Sequence, residues 1–215
     1  MNQILETKKD KKKLNLIKFK KLLKIQLYFS LFLMLIVGIF ISYNKFKLYK
    51  QEKYSSQILN NYNITKLYTN SSLNETSDSN DDISNTYVMG IIEISKIDVY
   101  YPIFSIYNEE LLKISPCKFY GSGPGDVGNL CIAGHNYDNN KFFSKINNLN
   151  VNDEIIIYNN SNKKFSYSVF EIYEVRSNDL SPIYSYDNNS RQLTLITCNN
   201  FNNNRIIVKA LYKWF

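Results

Sequence analysis

The chain has 215 residues, 44% of them hydrophobic, and a formal net charge of +7. The charge is unevenly spread: residues 1–50 hold twelve lysines against Glu6 and Asp10, a balance of +10, which leaves 14 basic and 17 acidic residues, −3, for 51–215. A C-terminal portion without a basic surplus speaks against a nucleic-acid surface, and its roughly 130 final residues suffice for one domain with a single core.

At the N-terminus, Lys8, Lys9, Lys11, Lys12, Lys13, Lys18, Lys20, Lys21 and Lys24 precede nineteen uncharged, mostly apolar residues, 25–43. That length crosses a bilayer. Lysines on its N-terminal side predict a cytoplasmic segment 1–24, one transmembrane helix over 25–43 and an extracellular remainder. The apolar run is longer than the core of a secretory signal, and Ser42-Tyr43-Asn44-Lys45 is a poor cleavage site, so an uncleaved anchor in the cell membrane is expected. The lysines serve topology and contact with anionic lipid. Residues 45–68 predict a juxtamembrane helix. Residues 69–86, with Ser71, Ser72, Asn74, Ser77, Asp78, Ser79, Asn80, Asp81 and Asp82, form a polar linker with little to bury. Residues 44–86 would hold the next domain off the membrane.

From residue 87 the pattern turns to β-type runs at 88–94, 97–104, 129–133, 154–158, 165–175, 192–198 and 205–212. Many short strands with polar turns predict an all-β barrel or sandwich over 87–215. Residues 120–128 hold four of the seven glycines, and Gly134 is a fifth, which suits tight turns and close backbone approach. His135, the chain's one histidine, follows at the end of the 129–133 run, where a scaffold presents functional groups.

The last two runs flank a polar stretch, 199–204. Paired as a hairpin, they set Cys198 opposite Arg205, with both side chains on one face. A cation beside a thiol favours the thiolate. Cysteine, histidine and arginine together can carry out covalent acyl transfer: the thiolate attacks, the imidazole moves protons, and the guanidinium steadies the oxyanion. Cys117 and Cys131 read as buried small apolar residues. The chain shows no Cys-x-x-Cys and no His-x-x-x-His, so no cofactor is expected. The alternative is a calcium site among Asp138, Glu171, Glu174 and Asp179, whose spacing is not that of an EF-hand loop. The glycine loop lacks the Gly-Lys-Ser/Thr of a phosphate loop. Taken singly, each of the three residues is commonplace. A non-catalytic surface-binding barrel explains the anchor and linker but not the trio. A papain-like peptidase would place its cysteine on a helix ahead of the histidine, whereas Cys198 follows His135 on a strand.

Together these residues resemble a sortase, the cysteine transpeptidase of Gram-positive cell surfaces, over roughly 87–215. Thr194-Leu195-Ile196-Thr197-Cys198 matches the family's TLxTC pattern, Arg205 opening Arg-Ile-Ile-Val-Lys-Ala matches its arginine, and Ile132-Ala133-Gly134-His135 matches its histidine motif. Gly90-Ile91-Ile92-Glu93-Ile94-Ser95-Lys96-Ile97 resembles the first strands, with Ser95 where proline is common; Asn152 stands where glycine is usual. The resemblance implies a closed eight-stranded β-barrel in which Cys198 attacks the threonine carbonyl of a Leu-Pro-x-Thr-Gly-like signal, giving a thioester. It implies His135 as the proton carrier, Arg205 at the substrate carbonyl and oxyanion, and the Thr197 side chain or a nearby backbone N–H as a further donor. The implied partners are surface proteins bearing a C-terminal sorting signal and an amine acceptor on peptidoglycan precursor or on another surface protein. The short His135-to-Cys198 interval leaves no room for a class B insertion, and no Asp-Pro-aromatic lid motif precedes the barrel as in a pilin-polymerising class C enzyme. A compact class D-like or class A-like enzyme is expected, with a pilin-polymerising sortase as the alternative.

Overall fold

The computed structural model describes residues 2–69, 87–137, 140–184, 187 and 189–214. The expected linker lies largely outside the described residues. The chain falls into two compact units divided between Lys50 and Gln51. The first helix, α1, runs Asn2–Thr69 and contains an apolar stretch, Phe19–Lys47, long enough to cross a membrane, with its side chains exposed.

The second unit is the β domain. Its strands are β1 (Val88–Ile94), β2 (Val99–Phe104), β3 (Cys117–Tyr120), β4 (Gly128–Ala133), β5 (Glu154–Asn159), β6 (Lys164–Arg176), β7 (Arg191–Cys198) and β8 (Asn204–Tyr212). They close into a barrel in the order β1-β2-β3-β4-β7-β8-β6-β5. The expected all-β barrel is therefore present. One strand, β3, escapes sequence reading because four residues are too few to show a period. It pairs with β2 through Phe104 and Cys117. That thin seam suits Pro102 in β2, which has no N–H to give to a ladder. Asn152, in the place where glycine was expected, takes a positive φ of 75°, a conformation asparagine tolerates better than most residues.

Two apolar clusters hold the domain. The larger fills the barrel with inward residues at alternate positions: Leu130 and Ile132 of β4, Leu193 and Leu195 of β7, Ile206 and Val208 of β8. The smaller lies where the end of α1 meets the sheet. Ile58, 4% exposed, packs with Val88, Ile91, Phe104, Leu112, Cys117 and Ala133. Leu112 belongs to a one-turn helix, α2 (Glu109–Leu112), whose Asn108 side chain accepts the Glu110 N–H at 2.8 Å and caps it. The juxtamembrane segment is thus part of the β domain's packing, not only a spacer.

This cluster generates a test. Ile58→Ala should lower the unfolding free energy of the β domain by about 2–4 kcal/mol, the usual cost of such a truncation in a core. The readout is urea unfolding of the full chain in detergent, followed by the lone tryptophan, Trp214. An unchanged midpoint would show that the helix end does not brace the sheet.

Candidate active site

Cys198 ends β7 and Arg205 lies at the start of β8, paired in register. The Asn199 N–H donates to Asn204 O at 3.0 Å just beyond them. Cys198 and Arg205 are therefore the next, non-hydrogen-bonded pair, the kind whose Cα atoms lie roughly 4.5 Å apart with side chains close. The hairpin expected from sequence has formed.

His135 reaches the same place by another route. β4 runs parallel to β7, with Ala133 beside Ile196. Past the strand ends, three bonds stitch the histidine loop to β7. The Gly134 N–H donates to Ile196 O at 3.0 Å, the Thr197 hydroxyl donates to Gly134 O at 2.7 Å, and the Asn136 side-chain amide donates to Cys198 O at 2.7 Å. His135 is thus held on both sides by residues fastened to the cysteine strand. Gly134 permits this: a Cβ there would lie 2.6 Å from the Phe143 ring. The imidazole stacks on Tyr137, with centroids 4.8 Å apart, and Tyr137 leans on Phe142.

The His135 Nε2 is buried and has no hydrogen-bond partner among the described residues. Burial holds the histidine pKa below its ordinary value; the Glu109 carboxylate opposes that and the Lys113 cation adds to it. The imidazole is therefore neutral near pH 7. Arg205 forms no ion pair with a carboxylate among the described residues.

The three residues all line one cleft of about 240 Å³. Its floor is Ala133, Ile196 and Ile207; Leu180, Pro182 and Ile183 of the β6–β7 connection and Leu112 of α2 also line it. Thr197, expected to offer a donor to substrate, is 2% exposed and commits its hydroxyl proton to Gly134. Alternation along β7 gives it the face opposite Cys198. Asn136 and Tyr137 were missed by sequence reasoning, although their adjacency to His135 was a usable signal.

Cys117 and Cys131 are fully buried and free, and burial pushes their thiols up to about 12 and about 11. Among the described residues no three His, Cys, Asp or Glu side chains gather as metal ligands. Of the calcium candidates, Asp138 lies outside the described residues. Glu174 accepts bonds from Asn199, Asn202 and Asn204, and Asp179 accepts the Ser181 N–H.

The sortase-domain family profile matches residues 92–213, more than half of the chain. The chain belongs to the sortase family. Among solved structures, a Clostridium perfringens sortase D5 transpeptidase is 28% identical with a TM-score of 0.57, covering 75% of this chain and 97% of that one. A C. perfringens sortase C, solved with its C-terminal cell wall sorting motif, is 24% identical at TM-score 0.54, covering 76% and 89%. A Corynebacterium diphtheriae sortase A lid mutant is 24% identical at TM-score 0.55, covering 66% and 83%. The latter two likenesses show the barrel fold. No curated protein sequence matches the chain. The enzyme is a cysteine transpeptidase.

Two measurements follow from this geometry. A mild alkylating reagent should modify the half-buried Cys198 in the folded sortase and leave Cys117 and Cys131 unmodified until it is denatured, as read by peptide mass spectrometry. Early labelling of either buried thiol would contradict the burial. The second concerns pH. With the folded-state pKa of His135 depressed, the unfolded chain takes up the proton first on acidification, so stability falls as pH drops below about 6.5. His135→Gln should flatten that part of the stability curve; an unchanged slope would assign it to other groups.

Proposed function

We propose that this sortase is a membrane-anchored enzyme that cleaves a Leu-Pro-x-Thr-Gly-like sorting signal and transfers the surface protein to an amine of the cell wall. The observation that carries this reading is the convergence of Cys198, Arg205 and a His135 whose Nε2 has no partner among the described residues in the lining of one apolar cleft. The cleft suits an extended peptide with leucine and proline side chains.

The steps balance as follows. His135 takes the thiol proton, and the Cys198 sulfur attacks the threonine carbonyl carbon, forming a C–S bond. Arg205 stabilises the oxyanion. The intermediate collapses, the C–N bond to glycine breaks, and the imidazolium gives its proton to the leaving amine. The incoming amine then attacks the thioester and passes a proton to His135, the C–S bond breaks as the new amide forms, and the imidazolium returns its proton to the released sulfur. Thr197 and Asn136 act as positioning residues, since each ties the histidine loop to β7 without reaching the reacting atoms.

No cofactor is needed for any step. The apolar stretch Phe19–Lys47 serves as the anchor, with residues 1–24 cytoplasmic and 87–215 outside as the catalytic domain. The likeness to a D5 transpeptidase supports the class D reading over class A.

The decisive experiment incubates the full chain in detergent with a panel of Leu-Pro-x-Thr-Gly-like peptides and an amine, and looks for an acyl adduct on Cys198 by mass spectrometry. An adduct that resolves onto the amine is expected. Cys198→Ala should abolish it, and Arg205→Ala should slow its formation by about 10²–10³-fold, the range for a lost oxyanion donor. Turnover persisting in Cys198→Ala would overturn the mechanism.

A further inference from the structure

Lys209 is a lysine where an outer-face strand residue would ordinarily be apolar or solvated. It is 6% exposed, and its Nζ donates to Tyr184 O at 3.0 Å. No carboxylate forms an ion pair with it among the described residues. Burial holds its pKa below the usual lysine range, with opposing contributions from Cys131 and Glu171. A buried cation satisfied mainly by backbone is costly, so what it grips is informative.

Its cross-strand neighbour is Thr194, fully buried, whose hydroxyl donates to Asn129 Oδ1 at 2.7 Å. Asn129 is 4% exposed, and its Nδ2 faces the Pro182 and Ile183 carbonyls at 3.0 Å each and Tyr184 O at 3.4 Å. Three consecutive carbonyls of the β6–β7 connection are therefore held by side chains of β4 and β8. None of these bonds belongs to the barrel's own ladders.

Register places this grip relative to the chemistry. Along the β7–β8 pair, one face presents Cys198 with Arg205, then Ile196 with Ile207, then Thr194 with Lys209. The first pair is catalytic and the second is cleft floor. The third lies four residues from the catalytic pair, roughly 13 Å along the strand. Pro182 and Ile183, which line the cleft, sit in the gripped segment.

We propose that Lys209 and Asn129 are positioning residues for the acyl donor: they clamp the Pro182, Ile183 and Tyr184 carbonyls against the outer face of β4, β7 and β8, and so set the width of the cleft that receives the sorting signal. Neither touches a reacting atom; both act through the β6–β7 connection. The inference rests on the donor-cleft reading above.

The test uses the full chain in detergent, with Lys209→Met, Lys209→Arg and Asn129→Ala. Two readouts are taken: hydrogen exchange, and steady-state kinetics with a Leu-Pro-x-Thr-Gly-like peptide. In Lys209→Met and Asn129→Ala, amides of 177–184 should exchange about tenfold faster while the barrel strands stay unchanged, and KM should rise about tenfold with kcat within about twofold, the scale of one lost buried hydrogen bond. Lys209→Arg keeps a charged donor and should recover much of KM. Unchanged exchange at 177–184 would overturn the clamp, and so would a fall in kcat at constant KM. If Lys209→Met loosens the whole barrel, Asn129→Ala decides. Should the parent chain turn over no peptide, the donor reading fails, and the exchange data still settle whether the clamp exists.

Discussion

Cys198 and Arg205 face each other because β7 and β8 pair antiparallel around a short turn, and the rest of the site depends on that register. A strand repeats every two residues, so a slip of one position would send Cys198 into the barrel and bring Thr197 out. The register is held by what lies behind it: Leu193 and Leu195 of β7 and Ile206, Val208 and Ala210 of β8 fill the barrel interior. The same alternation that buries these side chains turns Cys198 and Arg205, the proposed catalytic pair, outward. Core stability and catalytic geometry here are two faces of one pairing.

The histidine is brought in by a different constraint. Parallel pairing of β4 with β7 ends at Ala133 and Ile196, and backbone pairing alone would leave the next residues free to diverge. Side-chain bonds from Thr197 and Asn136 prevent this by continuing the attachment past the ladder. The Phe143 ring packs onto the bare face of Gly134 and closes the turn from the other side. Polar side chains thus extend the sheet's order into a loop, at the point where the proposed catalytic histidine has to be held in place.

Much of this was legible in the sequence because the decisive elements are runs of β-branched and apolar residues bounded by polar turns. β7 and β8 flank one such turn, so the hairpin and its opposed pair could be read from residue types alone, and the glycine before His135 marked a close approach. β3 and α2 were not legible: each has four residues, fewer than either periodicity needs to show itself. The role of the helix end was hidden for another reason. Ile58 and Leu59 are two apolar residues in a polar neighbourhood, and only the fold shows that Val88, Ile91 and Phe104 wait for them. Thr197 could be placed by motif, but its direction follows from strand parity, which sets it opposite the cysteine. Lys209 carried no signal, since a lysine in a strand is normally solvated and its burial depends on a connection far along the chain.

The electrostatics of the cleft show how burial shapes the proton relay. Desolvation disfavours the imidazolium and leaves His135 neutral, able to accept the thiol proton. The same desolvation would make the imidazolium costly once formed, which in the proposed mechanism would drive the proton onward to the leaving amine. The Glu109 carboxylate, part of the cleft lining, moderates that cost by favouring the charged form. In the proposed mechanism Arg205, paired opposite Cys198, would meet the other half of the problem by offering a permanent cation to the developing oxyanion. In the proposed mechanism an apolar cleft, one carboxylate and one guanidinium would let a single histidine serve as base and then as acid.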